Sequence, residues 1–298
     1  MFGAADYFPT SFNSIKYRID RSDLWMLKNS FVLLDGVGQQ REASIWRSGI
    51  ETWDDFLSAP RAKGISEPRK TVMDEELLNA SRKLVEQDSS YFASRMRTRD
   101  QWRCLPEFRK SVAFLDIETT GISLRSPITV VGIYDGTRMH SLVRGRDLTW
   151  SNLKAVLGSV SVIVTFNGSS FDLPMIESQF PGTVPRILHV DLMHTLRRIG
   201  LTGGLKKIER ELDIQRDRRV EYMTGEDAVY LWRLWEKQNN RNALDLLLEY
   251  NSEDCVNLKA LSDFAYRSLK KNTFDAAVRS GKIERRTASA FSGLRGRS

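Results

Sequence analysis

The spacing of apolar and polar positions along the chain changes near residue 111. Between residues 31 and 57, short stretches with apolar residues at helical intervals are interrupted by glycines, which predicts a compact helical unit. From residue 111 onward, short runs rich in β-branched residues alternate with helical stretches, and only helical spacing follows residue 205. The pattern predicts a small all-helical N-terminal module followed by an α/β domain.

The N-terminal unit carries clear helix-end signals. Gly49 is placed as the glycine after a helix C-terminus. Thr52 and Asp55 form a capping-box pattern that starts the next short helix, and Pro60 closes that helix. These signals predict two short helices in succession.

A connecting region follows this unit. The stretch 60–70 has two prolines and no periodicity, so it is typical of a linker. Thr71 and Asp74 form a second capping-box pattern, which predicts a helix over 72–87.

Four arginines and Trp102 lie close together in the sequence SRMRTRDQWR, residues 94–103. An exposed helix face braced by an aromatic side chain is the commoner explanation of such a cluster. Contact with nucleic acid is the alternative, because arginines and aromatic rings also bind phosphates and bases.

The α/β part begins with three β-rich runs, the second and third joined at Asp135-Gly136, which predicts a two-residue hairpin. Three strands in a meander followed by alternating helices and strands predict a mixed sheet flanked by helices, the order found in ribonuclease H-like folds. The predicted strands are 111–118, 128–135, 137–143, 162–166 and 187–192, and the predicted helices are 150–158, 173–180, 205–213, 226–238 and 242–269.

Composition is that of a globular protein. The chain has 298 residues, of which 41% are hydrophobic and 28% charged, and no apolar stretch approaches the ~20 residues of a membrane helix. Residues 1–20 lack the pattern of a secretory signal. With Cys104 and Cys255 alone, no disulfide framework exists, and a cytoplasmic location is expected.

Positive charge is concentrated at the C-terminus. Residues 270–298 carry eight Lys or Arg against two acidic residues, a balance of +6 out of a net +7 for the chain. Such a segment suits contact with phosphate backbones. A disordered tail that merely improves solubility explains the same composition equally well.

Two acids on the first predicted strand are the first candidates for chemistry. Residues i and i+2 of a strand point to the same face, so Asp116 and Glu118 in FLDIETTG project together, while Leu115 and Ile117 face the other side. A divalent cation relieves the repulsion between two such carboxylates. Exposed edge strands also carry such pairs, so the pattern alone leaves a metal role open.

Further candidates lie in FNGSSFDLPMI, residues 166–176, where a strand ends and a helix begins. Asp172 is a candidate ligand, but an Asp at this place is also a common helix N-cap. Asn167 either holds the turn or contacts substrate, and the turn is favoured.

The last predicted helix carries Tyr250 and Asp254 in YNSEDCVNLKAL. Residues four apart lie one above the other on a helix, so an acid and a phenol share one face. For this pair alone, a half-buried packing tyrosine and a solvated aspartate are the simpler explanation.

The three pieces in this order resemble the DEDD superfamily of 3′ to 5′ exonucleases. Residues 114–265, with FLDIETTG, VTFNGSSFDLP, HVDLMHTLRR, GLKKIERELDI and LLEYNSEDCVNL, are similar to its tyrosine-bearing, DnaQ-like subclass and to the YprB-like ribonuclease H-like branch. FNGSSFDLP also resembles the proofreading domain of family B DNA polymerases. The segment around Gly36 and Gly38 resembles a helix-hairpin-helix motif, in which backbone N–H groups face a phosphate. Asp35 opposes that role, and a purely packing hairpin is the alternative.

The resemblance implies a set of roles. Asp116, Glu118, Asp172 and Asp254 would bind two Mg²⁺ or Mn²⁺ ions, and Tyr250 would position the attacking water. The remaining implied contacts are those of Thr119 and Gly121 with the terminal nucleotide. Asp191 matches an acid often seen in this branch, and a helix cap at the end of its strand explains it equally well.

The sequence therefore predicts four segments and one leading function. The segments are a helical module with linker over 1–70, connecting helices over 71–110, a ribonuclease H-like exonuclease domain over 111–269, and a basic tail over 270–298. The expected activity is metal-dependent 3′ to 5′ hydrolysis of single-stranded nucleic acid, with DNA favoured over RNA. A ribonuclease H-like domain that binds nucleic acid without cutting it is the alternative.

Overall fold

A computed structural model describes residues 25–295, with side chains as far as residue 287, so the prediction for residues 1–20 lies outside the described residues. The N-terminal part is helical, as the sequence predicts. Its α-helices are α1 (Gln39–Arg47), α2 (Trp53–Ser58), α3 (Glu67–Val85), α4 (Ser89–Arg95) and α5 (Leu105–Phe108), with short 3₁₀ helices at Leu27–Asn29, Thr98–Cys104 and Arg109–Ser111.

The helix ends in this part show where local signals hold. Thr52 and Asp55 form the predicted capping box of α2, and Gly49 follows α1 with a φ of 101°. The second predicted box is wrong, because α3 begins at Glu67 and both Thr71 and Asp74 lie inside it. The predicted linker 60–70 therefore contributes its last residues to a helix whose second residue is proline, which is tolerated in a first turn.

The arginine-rich stretch 94–103 is exposed at Arg97 and Arg99 but buried at its C-terminal end, so it does not form one exposed helix face. Trp102 and Arg103 are 1% exposed and lie in a 3₁₀ helix within the core, where Arg103 pairs with the equally buried Glu42. Glu42 lies on α1, 61 residues before Arg103, so the local spacing around Arg103 could not predict this buried ion pair.

The α/β part is a mixed sheet flanked by helices. Its strands are β1 (Val112–Thr119), β2 (Ile128–Tyr134), β3 (Met139–Val143), β4 (Val162–Thr165) and β5 (Leu188–Asp191), in the spatial order β3-β2-β1-β4-β5. β2 pairs antiparallel with β1 and β3, and β4 pairs parallel with β1 and β5. The predicted ribonuclease H-like order is confirmed.

The hairpin between β2 and β3 differs from its prediction. Tyr134 pairs with Met139, so four residues form the loop instead of two. Asp135 explains the longer loop, because its side chain accepts hydrogen bonds from the backbone N–H groups of Thr137 and Arg138 at 2.8 and 2.7 Å.

The helices of this part cover both faces of the sheet. They are α6 (Trp150–Leu157), α7 (Asp172–Gln179), α8 (Leu192–Arg197), α9 (Leu205–Glu211), α10 (Gly225–Gln238), α11 (Arg241–Lys270) and α12 (Ala276–Arg295), the last two joined by a π-helical turn at Lys271–Asp275. The basic segment after residue 270 is therefore helical as far as residue 295, which contradicts the disordered alternative over that range.

One hydrophobic cluster joins the two parts of the chain. It includes Trp46 and Phe56 from the N-terminal helices, Val164 from β4, and Leu258 and Tyr266 from α11. A second cluster fills the opposite side of the sheet, beneath α6 and α7. The boundaries at residues 70, 110 and 269 stay predictions, and no helix among the described residues is long and apolar enough to cross a membrane.

Candidate functional site

Strand β1 places its two acids on one face of the sheet, as the period of two predicts. Leu115 and Ile117 are buried in the hydrophobic cluster beneath α6 and α7. Asp116 and Glu118 face α11 on the other side, where Glu118 is 8% exposed and Asp116 is partly buried. This strand contributes the first half of the site.

Helix α11 completes the site from the far end of the sequence. Carboxylate oxygens of Asp116, Glu118 and Asp254 lie within 4.8 Å of one another, which makes this the group of acids in the described part of the chain that could hold a metal ion. Tyr250, one turn before Asp254, is 7% exposed. The simpler explanation of a solvated Asp254 is wrong, because its residue is also only 7% exposed.

Asp172 lies at the edge of this group without capping its helix. It is the first residue of α7, and Phe171 is the N-cap. Its Oδ1 accepts a hydrogen bond of 3.2 Å from the backbone N–H of Ile117, between the two acids of β1. The N-cap explanation is therefore wrong, and the carboxylate is held against β1.

The pKa values of all four acids are raised. Burial is the largest cause, and it raises the pKa of Asp116 and of Glu118 well above the usual range, with repulsion from Asp254 and Asp172 adding to the effect. Burial raises the pKa of Asp172 and Asp254 as well. Like charges buried together in this way are stabilised by a cation, and carboxylate oxygens are the ligands that Mg²⁺, Mn²⁺ and Ca²⁺ prefer.

Arg216 ion-pairs with Asp254 from the loop after α9. Its guanidinium donates to Asp254 Oδ1 and binds both oxygens of Glu209 at 2.6 and 2.8 Å. Asn257 donates to Glu209 at 3.1 Å, and the side chains of Arg216 and Glu209 are 3% and 2% exposed. This chain of contacts fixes the orientation of Asp254.

Asn251 holds Asp116 from the same helix. Its Nδ2 donates to Asp116 Oδ2 at 2.9 Å. Opposite Asp116 on β2 lies Gly132, and a Cβ at that position would come within 2.0 Å of Asn251 Oδ1. The glycine therefore allows α11 to approach the sheet closely enough for Asn251 to reach Asp116.

Lys206 on α9 lies beside the acids and the phenol. Its Nζ is 4.3 Å from the centre of the Tyr250 ring and donates to the carbonyl of Met223. Burial lowers the pKa of Lys206, while the nearby carboxylate of Asp254 acts in the opposite direction. Burial, together with the charge of Asp254, raises the pKa of Tyr250, so this phenol stays protonated.

The turn after β4 is organised by Asp191. Its carboxylate accepts the backbone N–H groups of Asn167 at 2.8 Å and Ser169 at 3.1 Å, and it caps α8 through Met193 at 3.1 Å. Asn167 adopts a φ of 65°, a conformation that asparagine tolerates better than most residues. The hydrogen bonds from Ser169 and Asn167 lower the pKa of Asp191 despite its burial. The bond from Met193 makes Asp191 the N-cap of α8.

The remaining sequence candidates lie at loops. Thr119 Oγ1 donates to the carbonyl of Gly121 at 2.6 Å and closes the turn that leaves β1. In the N-terminal hairpin, Gly36 has a φ of 68° and Gly38 is the N-cap of α1. The guanidinium of Arg69 lies directly over Gly36 and donates to the carbonyl of Asp35 at 2.8 Å. Nucleotide contacts by these residues stay predictions.

Sequence reasoning missed three residues that position the site acids, namely Asn251, Arg216 and Glu209. Asn251 precedes Asp254 by three residues and so shares its helix face, a signal that was readable from spacing. Arg216 meets Asp254 only through the path of the loop between α9 and α10, for which the sequence carries no periodic pattern, and Glu209 on α9 acts on Asp254 through Arg216.

The fold and the acidic group together define a ribonuclease H-like domain with a candidate metal site. A family model, RNase_H_2, described as RNase_H superfamily, matches residues 113–266, which is just over half of the chain. The chain therefore belongs to this family, whose membership supports nuclease activity on a nucleic acid with divalent metal bound by acidic residues. No curated protein and no solved structure matches the chain.

Proposed function

We propose that this protein is a metal-dependent 3′ to 5′ exonuclease of the tyrosine-bearing DEDD type that acts on single-stranded nucleic acid, with DNA favoured. The observation that carries the proposal is the convergence of Asp116 and Glu118 from β1 with Asp254 from α11 within 4.8 Å. Family membership supports the nuclease class, and the resemblance of the motifs supports the tyrosine-bearing type and the direction of digestion.

The acids would hold two divalent cations, Mg²⁺ or Mn²⁺. Such ions generate a hydroxide-like nucleophile and neutralise charge on the leaving oxygen of a phosphodiester. The four carboxylates offer hard oxygen ligands and a strong excess of negative charge, which fits these ions. Asp116, Glu118, Asp172 and Asp254 are the proposed ligands.

The surrounding residues hold these ligands in place. Asn251 donates to one oxygen of Asp116, which leaves its other oxygen for a cation. Arg216 restrains Asp254 in the same manner. Tyr250 stays protonated, and its hydroxyl is the proposed donor or acceptor that orients the attacking water.

The decisive experiment follows the digestion of oligonucleotides labelled at the 5′ end. Single-stranded, 3′-tailed and blunt DNA and RNA are incubated with Mg²⁺, with Mn²⁺ or with a chelator. We expect a ladder of products shortened one nucleotide at a time from the 3′ end, dependent on metal and fastest on single-stranded DNA.

Matched variants on one helix test the site. Asp254→Asn removes a proposed ligand, whereas Asp245→Asn changes an exposed acid of the same helix. Losing several kcal/mol of transition-state stabilisation lowers the rate about a thousandfold or more, and we expect this for Asp254→Asn and for Asp116→Ala but not for Asp245→Asn. Tight binding without any cleavage by the unaltered chain would instead favour the nucleic-acid-binding scaffold. Cleavage that survives Asp116→Ala or chelation would exclude the metal mechanism.

A further inference from the structure

Helix α12 is fastened to the N-terminal helices by one of its faces. Val278 is 8% exposed, and a Cβ at Gly281 would lie 2.5 Å from the backbone of Arg47 at the end of α1. Arg285 donates to the carbonyl of Arg47, and its guanidinium lies against Gly49. Residues 278, 281 and 285 are three and four apart, so they form one helix face that is occupied by packing.

The neighbouring face of the helix is basic and open. Arg279, Lys282 and Arg286 follow the same spacing of three and four residues, and all three are exposed. Among the described side chains, no ion pair involves any of them. The acids of this segment are engaged elsewhere, because Asp275 pairs with Lys270 at 2.8 Å and Glu284 accepts from Ser280 at 3.1 Å.

We propose that this face of α12, formed by Arg279, Lys282 and Arg286, binds the phosphate backbone of the nucleic-acid substrate away from the 3′ end that is being cut. The proposal rests on the proposed function for its substrate. Three cations in one row on a helix complement a row of phosphates. The packing of residues 278, 281 and 285 against α1 fixes the position of these cations. Binding would be independent of base sequence, since only phosphates are contacted.

The distance from the acids sets a length requirement. The helix runs from Asp254 in α11 through the π-helical turn to Lys282, with a rise of ~1.5 Å per residue, so the two residues are at most ~40 Å apart along it. At ~3.4 Å per stacked nucleotide, that span corresponds to about 12 nucleotides. A stacked strand of this length is therefore long enough to contact the acids and the basic face together.

The test compares two triple variants of equal charge. One carries Arg279→Gln, Lys282→Gln and Arg286→Gln, and the control carries Arg82→Gln, Arg138→Gln and Arg186→Gln, which are exposed and dispersed over α3, the β2–β3 hairpin and the loop before β5. Each removes three positive charges. Thermal unfolding of both variants establishes that they remain folded.

Binding is measured by fluorescence anisotropy with single-stranded DNA of about 30 nucleotides, as a function of salt, in the presence of Ca²⁺ or with a chelator. Each lost phosphate contact reduces the slope of log K against log salt by ~0.7, so the helix variant should lose about 2 from its slope. The control triple should keep the slope of the unaltered chain. Equal slopes for the two variants would overturn the proposal. It would also be overturned if the helix variant lost binding to acidic lipid vesicles but bound DNA as tightly as the unaltered chain.

Cleavage separates this proposal from the proposed function. The helix variant should show a higher KM on the long substrate, with kcat unchanged, and unaltered cleavage of oligonucleotides of about four nucleotides, which span only ~14 Å when stacked. A chain that binds long DNA through this face but cuts nothing would refute the nuclease and leave the binding surface standing. Cleavage with no difference between the triples would refute the surface alone.

Discussion

Two groups of buried charged side chains within residues 25–287 are neutralised to very different degrees. In the N-terminal ionic cluster, Glu42 Oε1 accepts from Arg103 at 2.9 Å, from the Phe31 N–H at 2.7 Å and from Ser30 at 3.3 Å. In the acidic group, Asp116, Glu118, Asp172 and Asp254 face one buried cation from within the chain, Arg216, which is itself shared with Glu209.

The difference separates a structural role from a chemical one. Burial raises the pKa of Glu42, but Arg103 and the backbone act against that rise. At Asp116 the neighbouring acids add to the effect of burial instead. Burying several acids together without cationic partners lowers the stability of the fold. The excess negative charge of the acidic group therefore indicates a site for a cation.

The largest effect on stability should come from breaking the N-terminal ionic cluster. Arg103→Leu leaves Glu42 and Asp100 buried without their guanidinium, which costs ~3–5 kcal/mol of unfolding free energy. Urea denaturation measures the loss. The double variant Glu42→Gln with Arg103→Met should recover much of it, and Arg97→Gln, an exposed arginine of the same stretch, should stay within about 0.5 kcal/mol of the unaltered chain. A small loss for Arg103→Leu would show that water reaches the cluster.

Another buried acid, Glu107, predicts a pH effect. Burial raises its pKa from 4.5 to about 8, because only Oε1 is bonded, by the Leu27 N–H at 2.9 Å. The folded form therefore holds a proton that the unfolded form releases, so the free energy of unfolding falls as pH rises from about 5 to about 9, by up to about 4 kcal/mol. Glu107→Gln keeps the acceptor and should remove this fall, whereas the exposed Glu75→Gln should retain it. An unchanged pH profile for Glu107→Gln would contradict the assignment.

Divalent cations should stabilise the acidic group and leave the N-terminal cluster unaffected. Binding to the folded form alone adds about 2.7 kcal/mol at a concentration one hundred times the Kd, which a thermal unfolding scan with and without Mg²⁺ or Mn²⁺ detects. Asp254→Asn should abolish this rise in Tm, and Asp245→Asn should preserve it. An equal rise in both variants would place the cation elsewhere.

The smallest effect concerns Arg216, the buried cation that ion-pairs with Asp254. Arg216→Lys keeps a positive charge but loses the forked contact with Glu209, so Asp254 is less well oriented. We expect a roughly tenfold weaker affinity for Mn²⁺, measured by calorimetry, with a smaller change in kcat at saturating metal. Arg218→Lys, an exposed arginine of the same loop, is the control. An unchanged Mn²⁺ affinity would show that Arg216 does not orient Asp254 for metal binding.

Periodicity allowed prediction of the sheet and of the helix and strand faces that carry the acids, whereas the grouping of Asp116 and Glu118 with Asp254 followed from the resemblance of the motifs to DEDD exonucleases. A period of two put Asp116 and Glu118 on one face, and a spacing of four put Tyr250 above Asp254. The mixed sheet flanked by helices followed from the run of elements, and the structure agrees.

What could not be predicted depends on contacts between distant parts of the chain. Local sequence predicted an exposed Arg103, but Arg103 is buried because it pairs with the buried Glu42 on another helix. The sequence could not separate a cap role of Asp172 from a site role, because its carboxylate accepts a hydrogen bond from the backbone N–H of Ile117 on the distant strand β1. Thr71 and Asp74 formed a plausible local signal, but the helix begins earlier, where Pro68 suits a first turn.

The close approach at Gly132 also bears on when the acidic group forms during synthesis of the chain. Asp116 and Glu118 leave the ribosome long before Asp254, and α11 can reach them only by laying Asn251 over that glycine. A nascent chain, or one truncated before α11, lacks the third acid of the cluster. The acidic group, and with it the proposed cation site, is thus complete only once the C-terminal helix has docked.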